Sequence, residues 1–166
     1  MAFTAKRKVG EPRQKPKQAA TSYGLWCLSR KNWSVQEMKT KLTTRGYSVE
    51  ESDVAVARLM ELGYLNDSSF AQSKVRSLSA RKGNRAVAQV LKQAGVGQAD
   101  IETALDDAQD EVTRAMRCAE KFRGKCQTRE EPGKVWRFLA YRGFSASTIK
   151  MVVSAIGGAS SDTPDD

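Results

Sequence analysis

Met38-x3-Leu42-x3-Gly46-Tyr47-Ser48 recurs as Val87-x3-Leu91-x3-Gly95-Val96-Gly97 and again as Val135-x3-Leu139-x3-Gly143-Phe144-Ser145. The central leucines return at intervals of about 48 residues with nothing gained or lost inside the pattern, which marks an internal repeat. Within each copy the two apolar residues four apart stack on one helix face. The glycine permits the left-handed backbone that ends many helices, and the residue two further on is placed to cap the next helix. Beyond the glycine, the second copy has Ile101, Ala104, Leu105 and Ala108, and the third has Ile149, Val152, Val153 and Ile156 at matching offsets. That i, i+3, i+4, i+7 spacing is the buried stripe of an amphipathic helix. The first copy fills the same slots with Ser52, Ala55, Val56 and Leu59 and continues through Met60 and Leu62, so that only Ser52 departs from the stripe.

Reading outward from the repeat predicts nine helices. The first runs from about Ala19 to Lys31 with Leu25 and Leu28 inward. Ser34-x2-Glu37 and Ser48-x2-Glu51 are capping boxes that open the second and third. Gly63-Tyr64-Leu65 ends the third, with Tyr64 and Leu65 plugging the core, and Asn66 or Asp67 caps a fourth whose stripe is Phe70, Ala71, Val75 and Leu78. Gly83-Asn84 breaks the chain before a fifth that buries Val87, Val90 and Leu91. The sixth and ninth are the Ile101 and Ile149 stripes. The seventh buries Val112, Ala115, Met116, Ala119 and Phe122. After a loop over 124–131, Pro132 suits the first turn of an eighth that buries Val135, Phe138 and Leu139. No segment shows sustained period-two alternation. The expected class is all-α: three tandem three-helix modules over residues 19–65, 66–108 and 109–157, forming an elongated or curved repeat array. A disordered basic tail, 1–18, precedes it and a disordered acidic tail, 158–166, follows. Single modules of this size bury little surface, so they are expected to lean on one another as repeat units do.

The chemistry of catalysis is missing from these 166 residues. There is no histidine, which removes the commonest general base and metal ligand. Cys27, Cys118 and Cys126 contain no C-x-x-C pair and cannot supply four zinc ligands; they read as reduced thiols. No glycine-rich phosphate cradle is present. Asp106, Asp107, Asp110 and Glu111 read as carboxylates favouring a helix N-terminus in preference to a metal site. Neither an enzyme nor a cofactor is expected. With no signal peptide and no apolar run of membrane-spanning length, a cytoplasmic monomer is expected.

Twenty-eight Lys and Arg against 19 acidic residues, a net charge of +9, point toward an acidic partner. Arg114, Arg117 and Lys121 form an i, i+3, i+7 stripe opposite Val112 and Met116. Arg85, Gln89 and Lys92 form a shorter one opposite Val87 and Leu91. Lys134, Arg137 and Tyr141 repeat the geometry, and Arg76, Arg81 and Lys82 cluster at the boundary before the fifth helix. One charged stripe is usually a solvated face, but recurrence over the modules predicts a surface for protein or phosphate. Any binding of single-stranded or duplex DNA by such a surface is weak and salt-dependent. Trp26, Trp33 and Trp136 read as core or rim packing before base-stacking platforms.

Arg30-x3-Ser34-x2-Glu37-Met38-x3-Leu42, Leu62-Gly63-Tyr64-Leu65-Asn66-Asp67-x2-Phe70-Ala71, Arg81-Lys82-Gly83 and Leu91-x3-Gly95-Val96 together resemble the RecX family of bacterial recombinase regulators. The resemblance spans roughly residues 20 to 157, and its most specific part is the block from Gly63 to Ala71. Asn84 stands where a proline is common in the family, and the basic tail lies outside the shared pattern. The resemblance implies tandem three-helix modules that bind the RecA filament and modulate, usually inhibit, its recombinase and co-protease activities in DNA repair and the SOS response. The rival reading is a helix-turn-helix DNA-binding protein acting without RecA. Against it, no single helix concentrates base-reaching side chains.

Overall fold

A computed structural model describes residues 18–122 and 131–158. Among them are nine α-helices: α1 (Ala20–Leu28), α2 (Val35–Arg45), α3 (Val49–Glu61), α4 (Asp67–Leu78), α5 (Asn84–Gln93), α6 (Gln98–Asp106), α7 (Glu111–Ala119), α8 (Glu131–Tyr141) and α9 (Ala146–Gly158). A 3-10 turn, Glu120–Phe122, extends α7. No strand occurs among the described residues. The tails expected at 1–18 and 158–166 and the loop before Pro132 lie almost wholly outside these residues.

The repeat pattern builds the elements. Ser34 Oγ accepts the Glu37 backbone N–H at 3.0 Å, and Ser48 and Glu51 form a reciprocal capping box at the start of α3. Gly46, Gly63, Gly95 and Gly143 all take positive φ, between 73° and 115°, the backbone that ends a helix without a Cβ clash. The repeated leucines Leu42, Leu91 and Leu139 are fully buried, each worth about 2 kcal/mol of apolar burial. Three separate cores follow. Met38, Leu42, Ala55, Val56 and Leu59 join Cys27, Tyr47 and Leu65; Phe70, Ala71, Val75, Val87 and Leu91 join Ile101 and Ala104; Ala115, Ala119, Val135, Leu139 and Phe144 join Ile149, Val152 and Ile156. In each triplet the first and third helices make the largest contact. Ser52, the polar exception in the stripe, is nevertheless buried, because its Oγ donates to the Ser48 carbonyl at 2.7 Å.

Two compact units result, one ending at Asn66 and one beginning at Asp67, the latter holding both the second and third cores. Several side chains expected inside the first unit lie outside. Leu25 is exposed, and α1 turns Gly24 and Cys27 inward instead. Met60, Leu62 and Tyr64 are exposed, while Leu65 alone plugs the core. The bend at Gly63 explains the last pair: Tyr64 and Leu65 both donate backbone N–H groups to the Leu59 carbonyl, at 3.0 and 3.2 Å, and only one can then point inward.

Candidate partner-binding surface

The start of α7 organises the second unit. Asp110 caps the helix by accepting the Thr113 N–H at 2.9 Å, and that bond holds its carboxyl below the usual range. The next carboxylate, Glu111, turns to other helices. Its Oε1 accepts the Asn84 N–H at 2.7 Å; its Oε2 accepts the Thr148 hydroxyl at 2.8 Å and the Ser145 N–H at 3.4 Å. One anion thereby serves the first turns of α5 and α9, where the helix dipole favours negative charge. Burial pushes the Glu111 carboxyl up, but the bonds from Asn84, Thr148 and Ser145 outweigh it and leave the group below its ordinary 4.5.

One turn along α7, Arg114 does the complementary job. Its Nε donates to the Gln109 carbonyl at 2.7 Å, its Nη1 to the Ser79 and Lys82 carbonyls at 3.2 and 3.1 Å, and its Nη2 to Asn84 Oδ1. Ser79 directly follows α4, at the negative end of that helix's dipole, where a cation is favoured. Arg114 is 3% exposed, so the expectation that it presents charge outward is corrected. Helical spacing placed it opposite Val112 and Met116, but the end of α4 covers that opposite face.

The turns on either side meet backbone to backbone. Gly83 N–H donates to the Arg142 carbonyl at 2.9 Å and Arg85 N–H to the Gly143 carbonyl at 3.2 Å. A Cβ on Gly83 would stand 2.3 Å from the Phe144 backbone. Gly83 is therefore a close-approach glycine as well as a chain break.

This junction gathers Arg81, Lys82 and Arg85 beside Arg142. Arg81 and Arg85 are exposed, and Lys82 and Arg142 partly so. The Arg142 guanidinium lies 4.0 Å from the centroid of the Phe138 ring, and Lys121 Nζ lies 3.9 Å from the same centroid, contacts worth about 0.5–1 kcal/mol each at exposed sites. Arg142 thus links the loop cations to Lys121. Stripe counting missed it because it falls just past the end of α8.

The remaining expected residues are distributed. Lys92 and Arg117 are exposed on α5 and α7, and Lys134, Arg137 and Tyr141 line the outer face of α8, with Tyr141 94% exposed. Arg76 stands at a cleft of about 390 Å³ between α4 and α6, with Asp107 and Gln109. No group of His, Cys, Asp or Glu among the described residues could hold a metal ion. No helix among them is long and apolar enough to cross a membrane.

The model of the second three-helix domain of RecX matches residues 66–105, and that of the third three-helix domain matches residues 109–153. The chain belongs to the RecX family. A regulatory protein RecX of Vibrio parahaemolyticus is 33% identical over 148 residues, covering 87% of this chain and 96% of the relative. One of Chromobacterium violaceum is 31% identical over 139 residues, covering 84% and 90%. The crystal structure of RecX from Lactobacillus salivarius has a TM-score of 0.75 at 23% identity, covering 82% of this chain and 94% of that one, and so shares the fold. Another RecX crystal structure has a TM-score of 0.71 at 26% identity, covering 80% of this chain and 69% of that one. The family resemblance and the all-α class expected from the sequence are both borne out, and the chain is a RecX-family regulatory protein.

Proposed function

We propose that this protein binds the RecA recombinase filament in the cytoplasm as a monomer and restrains its ATPase, recombinase and co-protease activities. The basic junction of Arg81, Lys82, Arg85 and Arg142, with Lys121 beside it across Phe138, is the principal contact surface, and the exposed Arg117 and Lys92 add cations elsewhere on α7 and α5. Arg76, at the cleft between α4 and α6, and the α8 face of Lys134, Arg137 and Tyr141 supply further contacts. The observation that carries the reading is the clamp: Glu111 and Arg114 hold two three-helix triplets in a set relation, so that cations distant in sequence become one surface. A partner made of repeating protomers is met by repeating modules, and weak contacts multiply through effective concentration. Preferential binding of one filament state then opposes the rearrangements that follow nucleotide turnover.

RecA-dependent ATP hydrolysis on single-stranded DNA tests this. Hydrolysis is expected to fall as the protein is added, and a triple Arg81→Glu, Arg85→Glu, Arg142→Glu variant is expected to lose most of the effect. Unchanged hydrolysis at saturating protein, together with strong selection of one duplex sequence, would favour a helix-turn-helix reader instead.

A further inference from the structure

The first unit carries a surface that neither the repeat nor the basic stripes account for. Tyr23 and Trp26 lie one helical turn apart on α1, and their rings stack with centroids 5.6 Å apart and planes 22° from parallel. The Arg30 guanidinium sits 4.5 Å from the Trp26 centroid, and the Arg45 guanidinium, at the end of α2, 5.4 Å from that of Tyr23. The order is Arg45, Tyr23, Trp26, Arg30: two near-parallel aromatic planes, each accompanied by a cation. Beside it, Lys31 Nζ lies 3.6 Å from the Trp33 ring centroid.

The core of this unit has no use for the outer half of the column. It is closed by Cys27, Met38, Leu42 and Leu59, and Trp26 is 48% exposed. Trp33 is different, because it is partly buried and its Nε1–H donates to the Cys27 carbonyl at 3.1 Å. A half-exposed tryptophan stacked on a tyrosine and accompanied by arginines is matched to a ligand that is flat, π-rich and anionic. Unpaired nucleobases on a phosphate backbone have all three properties, and they stack on aromatic rings and guanidinium planes alike. A duplex fits less well, since its base faces are already stacked on one another. An acidic protein surface would use the cations alone and gain nothing from the aromatic rings between them.

We propose that the exposed Trp26–Arg30 end of the Arg45–Tyr23–Trp26–Arg30 column is a stacking site for unpaired bases of single-stranded DNA. The base stacks on the Arg30 guanidinium or displaces it from the Trp26 ring, and Lys31, 3.8 Å from Glu37 Oε2, stands beside it for the phosphates. The site does not depend on the recombinase, so the test omits RecA and stands apart from the test of filament regulation. Binding of the full chain to a dye-labelled oligothymidylate of about 16 nucleotides is followed by anisotropy, and ultraviolet crosslinking of the unmodified chain to the same oligonucleotide is mapped by mass spectrometry. Crosslinks are expected at Tyr23 or Trp26. Trp26→Leu is expected to weaken binding roughly tenfold with the salt slope unchanged, and Trp26→Phe to restore much of it. Lys31→Gln is expected to reduce the salt slope by about 0.7. Crosslinks confined to other positions, equal affinity for duplex of the same length, or unaltered affinity in a folded Trp26→Leu variant would each overturn the proposal.

Discussion

The starts of α3 and α9 occupy the same place in the repeat and are capped in different ways. At α3 the Ser48 N–H donates to Glu51 Oε2 at 2.9 Å, three residues away. At α9 the equivalent residue is Ser145, the position of Glu51 is taken by Thr148, and the carboxylate comes from Glu111 on α7. The Ser145 hydroxyl donates to Thr148 Oγ1 at 2.8 Å, and the Thr148 hydroxyl passes the interaction on to Glu111. The first arrangement stabilises one helix. The second, because Glu111 also accepts from Asn84, ties two triplets together. Moving one carboxylate from a local to a remote position converts a helix cap into a brace, and Arg114 closes the same brace from the opposite charge.

The sharpest way to break the brace is to remove its cation. Arg114→Met keeps the apolar stem but leaves the Ser79 and Lys82 carbonyls and Asn84 Oδ1 without their donor. It should destabilise the second unit by about 3 kcal/mol, read as a lowered urea midpoint. Arg117→Met, exposed on the same helix, should change stability by less than about 0.5 kcal/mol. Equal effects would mean that Arg114 is not the structural cation its burial indicates.

The two caps can be compared directly. Glu51→Ala should cost about 1 kcal/mol, as loss of a local cap does, whereas Glu111→Ala should cost about 2 kcal/mol by leaving donors on two helices unmet. Acid separates them further. Since the folded pKa of Glu111 is depressed, its stabilisation is fully present above 4.5 and lost as the pH falls through the folded value. The stability gap between the natural protein and Glu111→Gln should therefore shrink on acidification below pH 4.5. A gap that is constant with pH would show that the carboxylate charge contributes nothing.

The smallest effect on stability should come from the cations the brace displays. Arg81→Glu combined with Arg85→Glu leaves the backbone bonds of the junction in place, so the urea midpoint should move by no more than about 0.5 kcal/mol equivalent. The salt slope of any DNA binding should nonetheless flatten by about 0.7 to 0.9 per lost phosphate contact. A large loss of stability would mean that these side chains belong to the brace.

Helix starts and stops and the three buried stripes were legible in the chain, because each depends on residues within one or two turns of one another. Ser34, Ser48, Gly46, Gly95 and Gly143 act on their own segments, and apolar periodicity selects a face before any partner is present. What lies on the other face was not legible. Spacing alone made Arg114 the equal of Arg117, and only the end of α4, more than thirty residues earlier in the chain, separates a buried brace from a surface charge. Leu25 and Tyr64 were expected inside on their apolar character, yet the turn at Gly63 and the inward positions of Gly24 and Cys27 left them out. Local sequence chose the helices and their inner stripes through short-range hydrogen bonding and hydrophobic spacing. Tertiary structure decided which polar and aromatic side chains face water, because that depends on which distant helix end arrives to cover them.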